Sequence, residues 1–151
     1  MKFTGDIIIT APREAVFAAM RDARFFAACV EGVQDLSEID ATHYAAVFET
    51  KVAYLKFRFN VTVELTRVEP PREIEAKVEG VPLGVVGRMT ARSILRLEPE
   101  GDATRVHYET ESTLTGKLGS IGQPVLRAKA KEMEKQFATR LQAAFAASGG
   151  G

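Results

Sequence analysis

The side chains best suited to acid–base or nucleophilic chemistry in this sequence are His43, His107 and Cys29. Histidine is the commonest general base, but the sequence offers no Ser-His-Asp spacing and no nucleophile elbow around either histidine. His43 falls at the start of a predicted strand, and His107 falls on the outward phase of another, beside Arg105 and Glu109. We therefore expect both histidines on the surface. Cys29 lies in an apolar segment, so we expect it to be a small core residue.

Hydroxyl side chains form a second group of interest, because they recur on the inward phase of two neighbouring strands. The inward positions mix large apolar side chains with small and weakly polar ones: Met89, Ala91, Ser93, Leu95, Val106, Tyr108, Thr110, Ser112 and Leu114. A filled core more often has large aliphatic groups at such positions. Either these hydroxyls satisfy one another in a filled core, or they give a cavity its hydrogen-bonding points. The residues alone favour the filled core.

These side chains depend on a series of elements that the hydrophobic period predicts. Residues 2–10 alternate with a period of two and predict a first strand. Two short helices follow, with Pro12 near the start of one, Asp22 as the cap of the other, and Gly32 at its end. Six further segments with a period of two, separated by turn signals, predict strands at 33–39, 43–53, 54–69, 73–80, 87–98 and 104–114.

A long amphipathic helix at residues 120–147 completes the predicted fold. Its apolar stripe recurs at spacings of three and four: Leu126, Ala130, Met133, Phe137, Leu141 and Phe145. The clean alternation of strand 54–69 indicates an antiparallel sheet with one covered and one solvent-facing side. We therefore predict an α+β helix-grip fold, in which a seven-stranded antiparallel sheet wraps around a long C-terminal helix, with two short helices between strands 1 and 2.

Composition and charge limit the classes of partner. A chain of 151 residues with 46% hydrophobic content predicts one domain, at residues 1–147, followed by a disordered glycine-rich tail at 148–151. Twenty basic and twenty acidic residues give a formal net charge of zero, so we expect no nucleic-acid partner. One cysteine, no Cys/His cluster, and no transmembrane or signal segment predict a cytoplasmic protein without metal or cofactor.

Several segments resemble a known family. They are the opening FTGDIIITAPREAVF, the turn CVEGV, the strand GRMTARSILRL and the stretch TGKLGSIGQPVLRAKAKEMEKQF. Together they resemble the carbon monoxide dehydrogenase CoxG branch of the START-like or Bet v 1-like (SRPBCC) superfamily, from Met1 to about Phe145. The chain departs from the family at Glu31, where a proline commonly precedes the glycine of that turn.

The resemblance implies a hydrophobic cavity between the sheet and the long helix, and with it we favour a cavity over a filled core. The residues that we expect to line it, with Thr50 as a further polar point, are Phe57, Phe59, Met89, Ser93, Tyr108, Thr110, Ser112, Met133 and Phe137. Two glycine-containing loops are expected to border its entrance: Val81, Pro82, Leu83, Gly84, Gly116, Leu118, Gly119, Ile121 and Gly122. Their apolar side chains, together with Val85 and Val86, would be exposed there.

The resemblance also implies a function. It predicts a non-catalytic protein that binds a lipid or quinone-like molecule and assists the membrane association or maturation of a carbon monoxide dehydrogenase-type molybdenum hydroxylase. The expected partners are this hydrophobic molecule, the hydroxylase complex, and the cytoplasmic face of the membrane as a peripheral contact. A polyketide cyclase or dehydratase-like enzyme remains an alternative, which an inward ionisable pair would favour. A ligand-free protein-docking module is another, and the sequence leaves the oligomeric state open.

Overall fold

A computed structural model describes the backbone of residues 1–149 and the side chains of residues 1–146. The chain begins with strand β1 (Lys2–Ile9) and two short helices, α1 (Arg13–Arg21) and α2 (Ala23–Ala28). Six strands follow: β2 (Val33–Glu38), β3 (His43–Val52), β4 (Leu55–Glu69), β5 (Glu73–Pro82), β6 (Gly87–Glu100) and β7 (Ala103–Gly116). Helix α3 (Gln123–Gly149) ends the chain, and the predicted helix-grip architecture is confirmed.

All seven strands form one antiparallel sheet in the order β1-β7-β6-β5-β4-β3-β2. Strands β2 to β7 are a meander, so successive turns alternate between the two ends of the sheet. We call the end with the β3–β4 turn, the β5–β6 turn and the β7–α3 loop (residues 53–54, 83–86 and 117–122) the tip end. The opposite end, with turns at residues 39–42, 70–72 and 101–102, is the base end.

The short helices begin and end where local chemistry predicts. The side chain of Asp22 caps α2 by accepting hydrogen bonds from the backbone N–H groups of Arg24 and Phe25, at 3.0 and 3.3 Å. Past the end of α2, Gly32 has a φ of +94°, and a Cβ there would collide with the carbonyl oxygen of Glu49 on β3. This left-handed conformation lets the α2–β2 turn lie directly against the sheet.

Two hydrophobic clusters fill the two ends of the space between the sheet and the helices. The base cluster joins both short helices and α3 to the sheet: Ile7, Ile9, Val16, Phe17, Met20, Cys29, Ile74, Leu97, Val106 and Leu141. The tip cluster is smaller: Val52, Phe57, Phe59 and Leu118. Burial raises the pKa of the Cys29 thiol, as expected for a core residue rather than a reactive one.

The C-terminal helix differs slightly from its predicted bounds. It begins at Gln123 rather than residue 120, because Gly119 and Gly122 belong to the loop that precedes it. It continues to Gly149, so residues 148 and 149 are helical, although their composition predicts a disordered tail. Residues 150 and 151 of that predicted tail lie outside the described residues.

Candidate functional site

A cavity of about 620 Å³ lies between the sheet and α3, in the stretch between the base and tip clusters. Its volume falls within the range of cavities that hold small-molecule ligands. Most of its wall is apolar: Phe3, Ile7, Phe26, Val30, Leu95, Val106, Ala130, Met133 and Phe137. The strands contribute alternate residues, and α3 contributes residues three and four apart, so each element presents one face to the cavity.

Two hydroxyl groups form a pair on the sheet side of the cavity. Ser93 on β6 lies opposite Thr110 on β7, and their side-chain oxygens are 2.8 Å apart. One hydroxyl therefore donates to the other, and the accepting hydroxyl retains its own hydrogen for a further bond. The hydroxyls satisfy each other across the strands, as the filled-core interpretation expects, but they do so on the wall of a cavity.

A second polar group faces the cavity from opposite sides. Tyr108 projects from β7 and Glu134 from α3, and both line the cavity. Burial raises the pKa of Tyr108, and hydrogen bonding to the Glu134 carboxylate raises it further. Gly5 on β1 lies opposite Tyr108, and a Cβ at Gly5 would lie 2.7 Å from Tyr108 Oη and 2.8 Å from Glu134 Oε1. The absence of a side chain at Gly5 thus makes the space in which these groups meet.

Charged and amide side chains form the rim of the cavity. They come from the α2–β2 turn, from β3 and β4, and from α3: Glu31, Gln34, Glu49, Lys51, Lys56, Lys129, Glu132 and Gln136. Two ion pairs lie on this rim, Lys56 Nζ with Glu49 Oε2 at 3.9 Å and Lys129 Nζ with Glu132 Oε2 at 3.6 Å. Since most of these residues are exposed, the cavity opens to solvent between α3 and β3.

The predicted cavity residues divide between the cavity and the tip cluster. Those on the cavity wall are Ser93, Tyr108, Thr110, Met133 and Phe137, together with Thr50. Phe57 and Phe59 belong to the tip cluster, Met89 packs against it, and Ser112 is buried without lining the cavity. The strand period gives these four residues the correct face, but they lie beyond the cavity along their strands. Their predicted place in the cavity is therefore corrected.

The predicted entrance loops lie away from the cavity, and none of their nine residues lines it. Leu118, predicted to be exposed, is only 1% exposed and closes the tip cluster. Gly116 has a φ of +64°, and a Cβ there would lie 2.5 Å from the carbonyl oxygen of Val86. The glycines therefore let the two loops pack against each other and cover the tip cluster, and the rim described above replaces the predicted entrance.

Sequence reasoning misses Glu134, Gly5, Phe3 and the charged rim. An acidic side chain on a helix is usually on the surface, so residue type alone makes Glu134 a partner for exposed basic residues. Its position holds a signal, since it follows Ala130 by four residues and precedes Phe137 by three, which puts it on the cavity face of α3. Gly5 interrupts an otherwise apolar inward series on β1, which indicates a close approach.

The two histidines lie away from the cavity. His43 Nδ1 is 2.8 Å from Asp40 Oδ1, and His107 Nδ1 is 3.0 Å from Asp6 Oδ1. Among the described residues, no group of histidine, cysteine and acidic side chains is placed to hold a metal ion. Within the same part of the chain, none of the helices combines the length and the apolar character needed to cross a bilayer.

The tip end presents apolar side chains to solvent. Tyr54 is 100% exposed and Val86 is 83% exposed, and Leu55, Val81 and Leu83 are also exposed. Three segments that include these turns, 50–58, 80–92 and 112–131, contain nine basic residues and no acidic one: Lys51, Lys56, Arg58, Arg88, Arg92, Lys117, Arg127, Lys129 and Lys131. We call these exposed apolar and basic side chains the tip surface.

The base end has the opposite charge. The segments 38–43, 67–75 and 98–105, which contain its turns, carry eight acidic and three basic residues. The acidic residues are Glu38, Asp40, Glu69, Glu73, Glu75, Glu98, Glu100 and Asp102. The net charge of zero therefore conceals a basic end and an acidic end of the same sheet.

Known structures share this fold over nearly the whole chain. A conserved protein from Geobacillus kaustophilus is 25% identical, with a TM-score of 0.89 over 98% of this chain and 97% of that chain. A protein from Mycobacterium smegmatis is 14% identical, with a TM-score of 0.70 over 97% of this chain and 92% of that one. The structure of Ara h 8.0201 is 8% identical, with a TM-score of 0.66 over 97% and 98% of the two chains.

The sequence comparisons agree with the architecture. A comparison with curated protein sequences finds no match. The family model for the carbon monoxide dehydrogenase protein CoxG matches residues 5–146. That match spans all seven strands except the first residues of β1, both short helices, and nearly all of α3. The chain therefore belongs to the carbon monoxide dehydrogenase CoxG family.

Proposed function

We propose that this protein binds a hydrophobic small molecule, a lipid or quinone-like compound, as a non-catalytic accessory of a carbon monoxide dehydrogenase-type molybdenum hydroxylase. The observation that carries the proposal is the cavity of about 620 Å³ with its apolar wall and few polar groups. Each methylene that such a wall withdraws from water contributes about 0.8 kcal/mol to binding. Membership of the CoxG family supports the link to a carbon monoxide dehydrogenase.

The cavity has features of a carrier rather than a storage core. Clusters of buried side chains close it at both ends, so a ligand can enter without disturbing the packing that holds the sheet together. The charged rim gives it one wet opening, between α3 and β3. A lipophilic molecule with one polar end matches this arrangement, because its chain is buried while its polar group has partners.

We further propose that the tip surface is where the protein meets a membrane. Exposed side chains such as Tyr54 and Val86 insert at the level of the lipid headgroups, and the surrounding lysines and arginines attract anionic lipids. Cytoplasmic leaflets carry a negative surface potential, which supports the cytoplasmic face as the site of contact. The acidic base end would then point away from the membrane and stay free for a protein partner.

One observation favours an enzyme as the second candidate. Tyr108 and Glu134 are an inward ionisable pair, the feature expected of a cyclase or dehydratase in this fold. A phenol with a raised pKa is a weak acid at neutral pH, and it holds its proton toward Glu134. The pair is therefore better suited to hydrogen bonding than to proton transfer. An enzyme would release a bound molecule chemically changed, whereas a carrier would release it unchanged.

The experiment that tests the proposal is native mass spectrometry of protein purified from its own cells, followed by extraction and identification of the bound molecule. The expected result is one stoichiometric lipophilic compound. Ala130→Phe fills the cavity and should remove that mass, whereas Ala128→Phe, on the exposed face of α3, should retain it. A ligand-free protein that also fails to bind quinones and fatty acids on titration would overturn the carrier proposal.

A further inference from the structure

We propose that the cavity selects a neutral lipophilic molecule that carries a hydroxyl group, an alcohol or a phenol, over one that ends in a carboxylate. The inference rests on the proposed ligand-binding function and adds the chemistry of the ligand's polar end. It follows from the two polar groups inside the cavity, Tyr108 with Glu134 and Ser93 with Thr110.

The first step concerns what Tyr108 and Glu134 offer to a ligand. A carboxylate only accepts hydrogen bonds, so the Tyr108 hydroxyl donates its proton to Glu134. Since Tyr108 holds that proton tightly, its oxygen is left with lone pairs alone. Both oxygens meet in the space above Gly5, and together they present acceptors and a negative charge to the cavity. A ligand that donates a hydrogen bond satisfies this site, and an anion is repelled by it.

The second step concerns the hydroxyl pair beside it. Thr110 lies two residues from Tyr108 on the same face of β7, and Ser93 lies opposite Thr110 on β6. One of the two hydroxyls has a hydrogen that the other does not use. A ligand hydroxyl can therefore donate to Glu134 and accept from this pair. A ketone or an ester can only accept, so it leaves the carboxylate without a donor, which is costly in a partly buried site.

The positive charges near the cavity do not reverse this preference. Lys56 and Lys129 are on the rim, and each is paired with a rim carboxylate. Arg127 lies over the outer side of Phe3, with its guanidinium carbon 5.4 Å from the ring centroid and Nη1 3.2 Å from the carbonyl oxygen of Lys2. Glu134 is thus the charge nearest to the polar group of a ligand that reaches Tyr108.

The test is calorimetric titration of delipidated protein at pH 7.5 with three probes of equal chain length: decan-1-ol, decanoate and methyl decanoate. We expect decan-1-ol to bind at least tenfold more tightly than decanoate, and also more tightly than the ester. Any apolar cavity favours a neutral probe over an anion, so the decisive quantity is the change in the ratio in Glu134→Gln. This variant keeps the size of the side chain and removes its charge.

Glu132→Gln is the matched control, because Glu132 is a rim carboxylate two residues away on the same helix. We expect the alcohol-to-carboxylate ratio to fall at least fivefold in E134Q and to stay unchanged in E132Q. Equal affinities for decan-1-ol and decanoate in the natural protein, or an unchanged ratio in E134Q, would overturn this inference and leave the carrier function intact. Failure of all three probes to bind would overturn both.

Discussion

The base and tip ends of the sheet are built from the same alternating strands, yet they differ in packing and in charge. At the base end, two short helices and the C-terminal part of α3 cover the strands, and Ile9, Val16 and Leu141 have no exposed surface. At the tip end a single loop covers a small cluster, and exposed apolar side chains remain outside it. The base end therefore stabilises the fold, which leaves the tip end available for contact with other molecules.

The cavity lies where these two kinds of packing meet. Along β6 the inward residues change from Met89 through Ala91 and Ser93 to Leu95 and Leu97. Along β7 the same levels go from Leu114 to Val106 by way of hydroxyl side chains. Large side chains occupy both ends of each strand and small or polar ones the middle. An opening in the middle is thus compatible with a stable fold because the base cluster does not depend on it.

The largest effect is expected from loss of packing in the base cluster. Leu141→Ala removes a side chain with no exposed surface and should lower the free energy of unfolding by about 3 kcal/mol. Met133→Ala, on the same helix but facing the cavity, should cost about 1 kcal/mol, because part of its surface already adjoins open space. Urea unfolding measures both. Equal losses would mean that the cavity wall is packed as tightly as the base end.

A smaller effect is expected from two matched glycines. Gly101 is in a base-end turn with a φ of +61° and open space around it, so Gly101→Ala should cost about 1 kcal/mol. Gly116 is at the tip end with a φ of +64°, but a Cβ there meets the backbone of Val86, so Gly116→Ala should cost at least about 2 kcal/mol. A similar cost for both variants, measured by urea unfolding, would show that the tip loops are not packed tightly together.

The tip surface should matter for membrane contact and little for stability. The double variant Tyr54→Asp/Val86→Asp should weaken binding to phosphatidylglycerol-containing vesicles at least tenfold, while the free energy of unfolding changes by less than about 0.5 kcal/mol. Cosedimentation measures the binding. Ile39→Asp is the control, because Ile39 is 64% exposed at the base end. Equal weakening by the control, or binding that ignores added salt, would contradict the assignment to the tip surface.

The smallest effect concerns Tyr108 and pH. Its pKa in the folded protein is raised above the value near 10 of an unfolded chain, because of burial and Glu134. Between these two pKa values the unfolded chain loses the proton and the folded protein keeps it. Stability from this group is therefore complete below pH 10 and declines as the pH rises further. Urea unfolding from pH 9 to 11 should show a steeper decline than in Tyr108→Phe, and identical slopes would contradict the assignment.

The sequence predicts the fold well, because each element carries its own signal. The period of two, the turn residues and the Asp22 cap identify the strands and short helices to within a few residues. The site is harder, because the period shows which face of a strand is covered but not which level of that face lies under a helix. Phe57 and Phe59 are predicted in the cavity for that reason, although they lie at the tip end.

Two features could not be obtained from residue type alone. Glu134 is on the cavity face of α3, but its charge favours the surface, and only its spacing from Ala130 and Phe137 points inward. Leu118 is in a glycine-containing loop, where apolar residues are often exposed, and its burial depends on the fit of that loop against the β5–β6 turn. Both depend on how distant segments pack against each other.

The opposite charges of the two ends make this neutral chain an electric dipole along the sheet. A negatively charged surface attracts the basic end and repels the acidic end, so it exerts a torque on the molecule as it approaches. At physiological ionic strength this torque acts within about 8 Å of the surface. Because the net charge is zero, the long-range attraction is weak, so the field orients the protein without holding it. A carrier that visits a surface briefly needs this combination of orientation and easy release.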